Sequence, residues 1–281
     1  MSKKHRERTD PLSVALPPYG VDSHAHLTSG AFSVDREDVL ARARACGLAQ
    51  IANVFLNPDT FPEEARLFDD HPEVFFLLGV HPDDTATFTS RTLETIRRHV
   101  QENPRIRAIG EIGLDFSRTE PGTASPDQQL EPFVAQLHLA RELDMPVAIH
   151  CRDAVEPTLA ILEKEGFSGY PLVWHCFGAD RALAERIVAH DWYVSFPGTV
   201  TFRNNPQARE ALPCIPDNRL LVETDCPYLS PMPWRGTRNE PAYTVFTIRT
   251  MAECLGVEAE ELWKRCGDNA RRLYRLPALA Q

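Results

Sequence analysis

The residues best able to do chemistry stand where a short apolar run closes at Val21, in Gly20-Val21-Asp22-Ser23-His24-Ala25-His26-Leu27. His24 and His26 are two apart, so in an extended backbone both side chains leave the same face. Two neutral imidazoles on one face at the end of a strand suit a transition-metal ion. An H-x-H pair alone is a weak signal, because histidines this close are commonly incidental. Further ligand-type residues follow at the ends of later apolar runs: Glu111, His150, His175 and Asp225. Six ligands exceed what one four-coordinate ion with an open position takes, but they suit two ions sharing a carboxylate. Glu111, with two oxygens, is the natural bridge. One ion then takes His24, His26, Glu111 and Asp225, and the other takes Glu111, His150 and His175. No lysine ends a strand, which excludes a carbamylated-lysine bridge. Two ions about 3.5–4 Å apart activate water at neutral pH and clamp the oxygens of a displacement at phosphorus or carbon. Asp225, touching both metal and water, is the expected general base, with Glu111 the second catalytic carboxylate.

The elements that must position these residues are legible as apolar runs of strand length. After the run closing at Val21 they fall at 49–55, 74–80, 105–110, 145–150, 171–174, 192–196 and 219–222. Helical stretches lie between them, at 35–46, 62–70, 90–102, 126–143, 153–165 and 181–190, and the final third ends in helices at 242–254 and 259–274. Strands without apolar–polar alternation are buried on both faces, as parallel strands are. Strand followed by helix, eight times over, predicts the α/β class and a single (β/α)8 TIM barrel. No G-x-G-x-x-G follows the first strand, which disfavours a doubly wound dinucleotide-binding sheet. In a parallel barrel the C-terminal strand ends gather at one rim, so ligands from five strands converge on one mouth. The expected division is a flexible leader over 1–17, one barrel domain over 18–276 and a tail over 277–281.

Composition narrows the setting. The chain has 281 residues, 43% hydrophobic and 25% charged, which is ordinary for a globular protein. No apolar run reaches the ~18 residues that cross a bilayer, so no membrane association is expected. The basic stretch at 1–10 lacks the apolar segment of a secretory signal. Seven scattered cysteines without C-x-x-C spacing suit reduced thiols and a cytoplasmic location. The net charge of −10 opposes long-range attraction to nucleic acid, so any such substrate must be held by local arginines and metal. No unpaired amphipathic segment demands a partner, and a monomer is expected.

DSHAHL, GVHP, GEIGLDF, PVAIHCRDA, WHCFGA, VSFPGTVTF, ETDCPYLSPMPWRGTRNEP and DNARRLY occur in that order between Tyr19 and Tyr274. Together they resemble the TatD-type deoxyribonucleases, metal-dependent hydrolases among the amidohydrolase-like barrels. The resemblance implies a two-metal barrel that cleaves phosphodiester bonds in DNA, often as a 3′–5′ exonuclease on single strands or 3′ ends. It carries the six ligands onto the positions already assigned, with Mg²⁺, Mn²⁺ or Zn²⁺ as the two divalent ions. It also implies that His81, in GVHP, contacts substrate phosphate. The family's usual HCFSG reads His175-Cys176-Phe177-Gly178-Ala179 here, and Thr28 stands where the family commonly has Asp.

Around the ligands, Arg152, Arg235 and Arg238 are the expected phosphate-binding arginines, since guanidinium forks suit phosphate oxygens. Their alternative partners are Asp153, Glu223 and Glu240. Trp234 and Tyr228, in the loop after the last strand, either stack on bases or pack beneath the loop. Glu223 lies two before Asp225 and is expected to orient a ligand rather than bind metal. A competing activity is amide or ester hydrolysis, such as D-aminoacyl-tRNA deacylation, because a binuclear centre attacks carbonyl carbon as well as phosphorus.

Overall fold

The computed structural model describes residues 8–118 and 122–279. Eight strands follow one another in a single parallel sheet: β1 (Gly20–Ala25), β2 (Leu48–Phe55), β3 (Val74–Leu78), β4 (Ile106–Asp115), β5 (Val147–Arg152), β6 (Leu172–Trp174), β7 (Tyr193–Phe196) and β8 (Leu220–Val222). Each pairs with the next. The ends meet where Asp225 N–H donates to His24 O (2.9 Å) and His26 N–H donates to Cys226 O (2.8 Å). The sheet curls into the expected (β/α)8 TIM barrel.

Alternation along the strands makes two cores. Val21, Ala52, Val54, Phe75, Leu77, Ala108, Ala148, Val173, Tyr193 and Leu221 fill the barrel interior. Their neighbours in sequence, such as Ile51, Phe76, Ile109 and Ile149, pack outward against the helices. The helices are α1 (Arg36–Ala45), α2 (Phe61–Ala65), α3 (Ser90–Glu102), α4 (Pro126–Glu142), α5 (Val155–Lys164), α6 (Arg181–Ala189), α7 (Pro206–Ala211), α8 (Thr244–Leu255) and α9 (Ala259–Tyr274). Capping boxes start α3 (Thr89 with Thr92) and α4 (Ser125 with Gln128), satisfying N–H groups that a helix end leaves open. Among the described residues no helix is long and apolar enough to cross a membrane.

The helix expected over 62–70 is a single turn, α2, continued as 3-10 turns over Arg66–Phe68, because Asp69-Asp70-His71-Pro72 cannot extend it. The sequence reading missed α7, which is too short to show a helical period. Of the stretch expected to be a flexible leader, residues 1–7 lie outside the described residues. Residues 8–17 pack against the barrel, with Pro11–Val14 in a 3-10 turn capped by Asp10 and Leu16 N–H donating to Cys46 O. Val14 and Leu16 reach an apolar cluster of Cys46, Tyr243 and Phe246, and that burial holds the segment. Likewise 280–281, within the expected tail, lie outside the described residues.

The C-terminal helix covers the seam between β1 and β8. Trp263 of α9 sits on Gly20 so closely that a Cβ there would lie 1.8 Å from the indole. Asn269 Nδ2 donates to Leu220 O (2.9 Å), and Tyr274 OH donates to Ser23 O (3.2 Å). The first strand, the last strand and the last helix thus form one unit under the mouth.

Candidate metal centre

Glu111 stands at the centre of the mouth, buried, in the middle of β4 rather than at its end. Its two oxygens face different histidine pairs. Oε2 is 3.3 Å from His24 Nε2 and 3.7 Å from His26 Nε2. Oε1 is 2.6 Å from His150 Nδ1 and 2.8 Å from His175 Nε2. Asp225 Oδ1 closes the first group, 3.1 Å from His26 Nε2 and 3.9 Å from His24 Nε2. Donors around a tetrahedral ion with bonds of about 2.1 Å sit about 3.4 Å apart, and the first group brackets that spacing. All six sequence-assigned ligands therefore meet in one cluster.

Local backbone features aim them. A register shift in β1 between Asp22 and Ala25 turns His24 inward, and His26 follows just past the strand. His175 is the first residue after β6, and Asp225 lies three past β8 with φ +56°. That left-handed turn, which aspartate tolerates, swings its carboxylate back over β1. Gly113 pairs with His150 across β4 and β5, and its φ of +147° brings the backbones together. A Cβ there would lie 1.9 Å from His150 O.

Both ring nitrogens of His24, His175 Nδ1 and Glu223 Oε2 are buried without a hydrogen-bond partner among the described residues. Buried polar atoms are nearly always satisfied, so imidazole nitrogens left open beside two carboxylates are the mark of a cation site. The donor set, neutral nitrogen plus carboxylate oxygen, fits divalent zinc- or manganese-like ions. The charges agree. Burial by itself would raise the Glu111 pKa, but His175 and hydrogen bonds from the surrounding imidazoles hold it well below the usual carboxylate range. Asp225 is likewise lowered, its burial outweighed by His26. Burial and the neighbouring His175 lower the His24 pKa, toward the neutral form that binds metal, whereas the flanking carboxylates raise those of His26, His150 and His175 despite their burial.

Two further carboxylates lie beside the imidazoles. Glu223 Oε1 accepts the Cys176 N–H (2.7 Å) and lies 3.4 Å from His175 Nδ1, and with His24 and His175 it forms a group close enough to share a cation. The sequence reading missed the other. Asp115 Oδ2 is 3.0 Å from His150 Nε2, and Ser117 holds its Oδ1 through backbone N–H (2.9 Å) and hydroxyl (2.5 Å). Asp115 is four residues after Glu111 on the same strand, so the alternation argument applied to Glu223 finds it too.

His81 lies at the mouth with Nε2 3.7 Å from Glu111 Oε1. Burial pushes its pKa down to about 4, so the ring is neutral at pH 7. The Asp83 N–H donates to its Nδ1 (3.2 Å), which leaves the proton on Nε2, facing the centre.

The arginines divide. Arg238 grips Asp35 with both nitrogens (2.7 Å each), donates to Ala31 O and lies over Phe32. It clamps the β1–α1 connection, a partner the expectation did not include. Arg235 is exposed, holds its guanidinium carbon over the Phe202 ring (4.1 Å) and donates to Asn204 Oδ1 (3.2 Å). Arg152 is exposed and makes no ion pair with a described residue. Trp234 packs: it stacks on Tyr243 at 4.9 Å and its Nε1–H donates to Thr9 O. Tyr228 stays in solvent.

Residues 21–275 match the family model described as TatD related DNase. A protein of Erwinia billingiae named 3′-5′ ssDNA/RNA exonuclease TatD is 37% identical over 263 residues, covering 92% of this chain and 99% of its own length. A Bacillus subtilis protein named as the uncharacterized metal-dependent hydrolase YabD is 35% identical, covering 91% of this chain and 98% of its own. The crystal structure of the Escherichia coli TatD homologue YjjV superposes with a TM-score of 0.84 at 26% identity, covering 92% of this chain and 99% of that one.

Proposed function

The chain belongs to the TatD-related DNase family of metal-dependent hydrolases, and from that premise we propose that it is a 3′–5′ exonuclease on single-stranded DNA. The observation that carries this reading is Glu111, whose two oxygens each face a separate histidine pair. In this reading His24, His26, Glu111 and Asp225 hold one divalent ion, and Glu111, His150 and His175 hold a second. Bound ions of this kind supply Lewis-acid polarisation of a phosphoryl oxygen and lower the pKa of water.

The chain's own groups do the rest. Asp225, ionised and only half-buried, faces the mouth and takes the proton of the attacking water. His81 presents a neutral Nε2–H to a non-bridging phosphate oxygen, a donor in place before substrate arrives. Arg152 and Arg235, neither committed to a carboxylate among the described residues, hold the flanking phosphates. The relative named for ssDNA and RNA supports a single-stranded substrate.

The test pairs wild type with Asp225→Asn on 5′-labelled single-stranded DNA in Mg²⁺ or Mn²⁺, with metal content counted in both. Expected are stepwise shortening from the 3′ end, about two ions per wild-type chain, and a ~10²–10⁴-fold slower variant. Intact DNA from a protein that carries two ions would refute the nuclease reading.

A further inference from the structure

Tyr228 has no role in the chemistry above, yet it is set at the mouth. Four large hydrophobic side chains stay exposed among the described residues: Leu12, Val34, Leu67 and Tyr228, the last at 60%. The first three are aliphatic, and none of them makes ring contact with a ligand-type residue, as Tyr228 does with His26. The tyrosine ring stands 6.2 Å from the His26 ring, inclined at 66°, beside the carboxylate–imidazole cluster. Its hydroxyl has no hydrogen-bond partner among the described residues.

The loop that carries it is fixed. Tyr228 N–H donates to Asp225 O (3.0 Å), Asn239 N–H to Pro227 O (2.9 Å), and Ser230 Oγ to Thr237 O (2.6 Å). The same loop buries its other aromatic, Trp234, against Tyr243 and Thr9. One ring is packed away and the other is held in solvent three residues from Asp225. A rigid aromatic face with an amphipathic tip is what a stacking platform requires, and it loses little side-chain entropy on use.

We propose that Tyr228 forms a nucleobase subsite. A base next to the scissile phosphodiester stacks on its exposed ring while the phosphate enters the centre. The subsite rests on the phosphodiesterase reading above. Every base has a π face, so the subsite discriminates nucleotides from other phosphodiesters without choosing among sequences.

The experiment uses single-stranded oligonucleotides that end normally or carry an abasic residue at the terminal or penultimate 3′ position. Wild type, Tyr228→Ala and Tyr228→Trp are compared by kcat/KM in saturating Mn²⁺. Wild type should prefer the base-bearing strand by about tenfold at one of the two positions, chiefly through KM. Tyr228→Ala should lose that preference, and Tyr228→Trp should keep it. An equal fall on all strands, with the preference intact, would overturn the subsite and leave Tyr228 a structural residue. A wild type that carries its metals but leaves every strand whole would instead remove the nuclease reading on which the subsite stands.

Discussion

The contact between His150 Nε2 and Asp115 Oδ2 shows how one carboxylate sets the chemistry of another residue. Accepting the proton of Nε2 fixes the tautomer and turns Nδ1 toward Glu111. Asp115→Asn should therefore lower metal affinity about 10–100-fold, read by calorimetric titration of the chelator-treated protein. The barrel should stay folded, since the Gln129 side chain still accepts the Asp115 N–H and donates to its carbonyl. Unchanged affinity would show that His150 needs no such partner. The meeting of the six assigned residues was legible because short apolar runs and two-residue spacing are local properties of a sequence, although Glu111 stands inside its strand and not at the end. Arg238 was not, because its partner Asp35 lies 203 residues away and nothing near either residue announces the other. Asp115 was within reach, since Glu111, Gly113 and Asp115 share a strand face, but its carboxylate also suits a turn.

At the scale of elements, the site depends on how closely β4 approaches β5. Gly113 allows that approach by lacking a side chain and by adopting a positive φ. Gly113→Ala should destabilise the protein by about 3 kcal/mol, combining strain with overpacking against His150 O. The measurement is the denaturation midpoint together with metal content, and both should fall. A stable variant with full metal content would mean the strands part at no cost. Strand order and number were readable because each strand of the barrel contains a short apolar stretch, with helical or turn-forming sequence between one strand and the next. The register shift in β1 and the left-handed turn at Asp225 were not, because both arise from pairing with neighbours distant in sequence. For the same reason residues 8–17 read as a leader: Pro11 and Pro17 leave no helix or strand period around Val14 and Leu16, which find their apolar partners only in the folded barrel.

The whole molecule is closed along the seam between β1 and β8, and the seam carries a buried acid. Asp22 accepts from Thr224 N–H (2.9 Å) and Thr224 Oγ1 (2.6 Å), but burial dominates and raises its pKa to about 8. The folded protein then holds a proton that the unfolded chain releases near its ordinary pKa of 3.8. Stability from this group is complete below that value, declines as pH rises, and is gone above about 8, with a slope of at most about 1.4 kcal/mol per pH unit. Asp22→Asn should flatten that decline, measured as the difference in unfolding free energy between pH 5 and 8. An unaltered slope would place the titration elsewhere. The seam also governs when the protein becomes competent during its own synthesis. His26 and Asp225 are in contact although 199 residues separate them. A ribosome that has made β1 through β7 has produced every histidine of the centre without the carboxylate that completes its first half. On the proposed reading the unfinished chain thus lacks the base that draws the proton from water, and cutting of nucleic acid waits until β8 has been translated and docked beside β1.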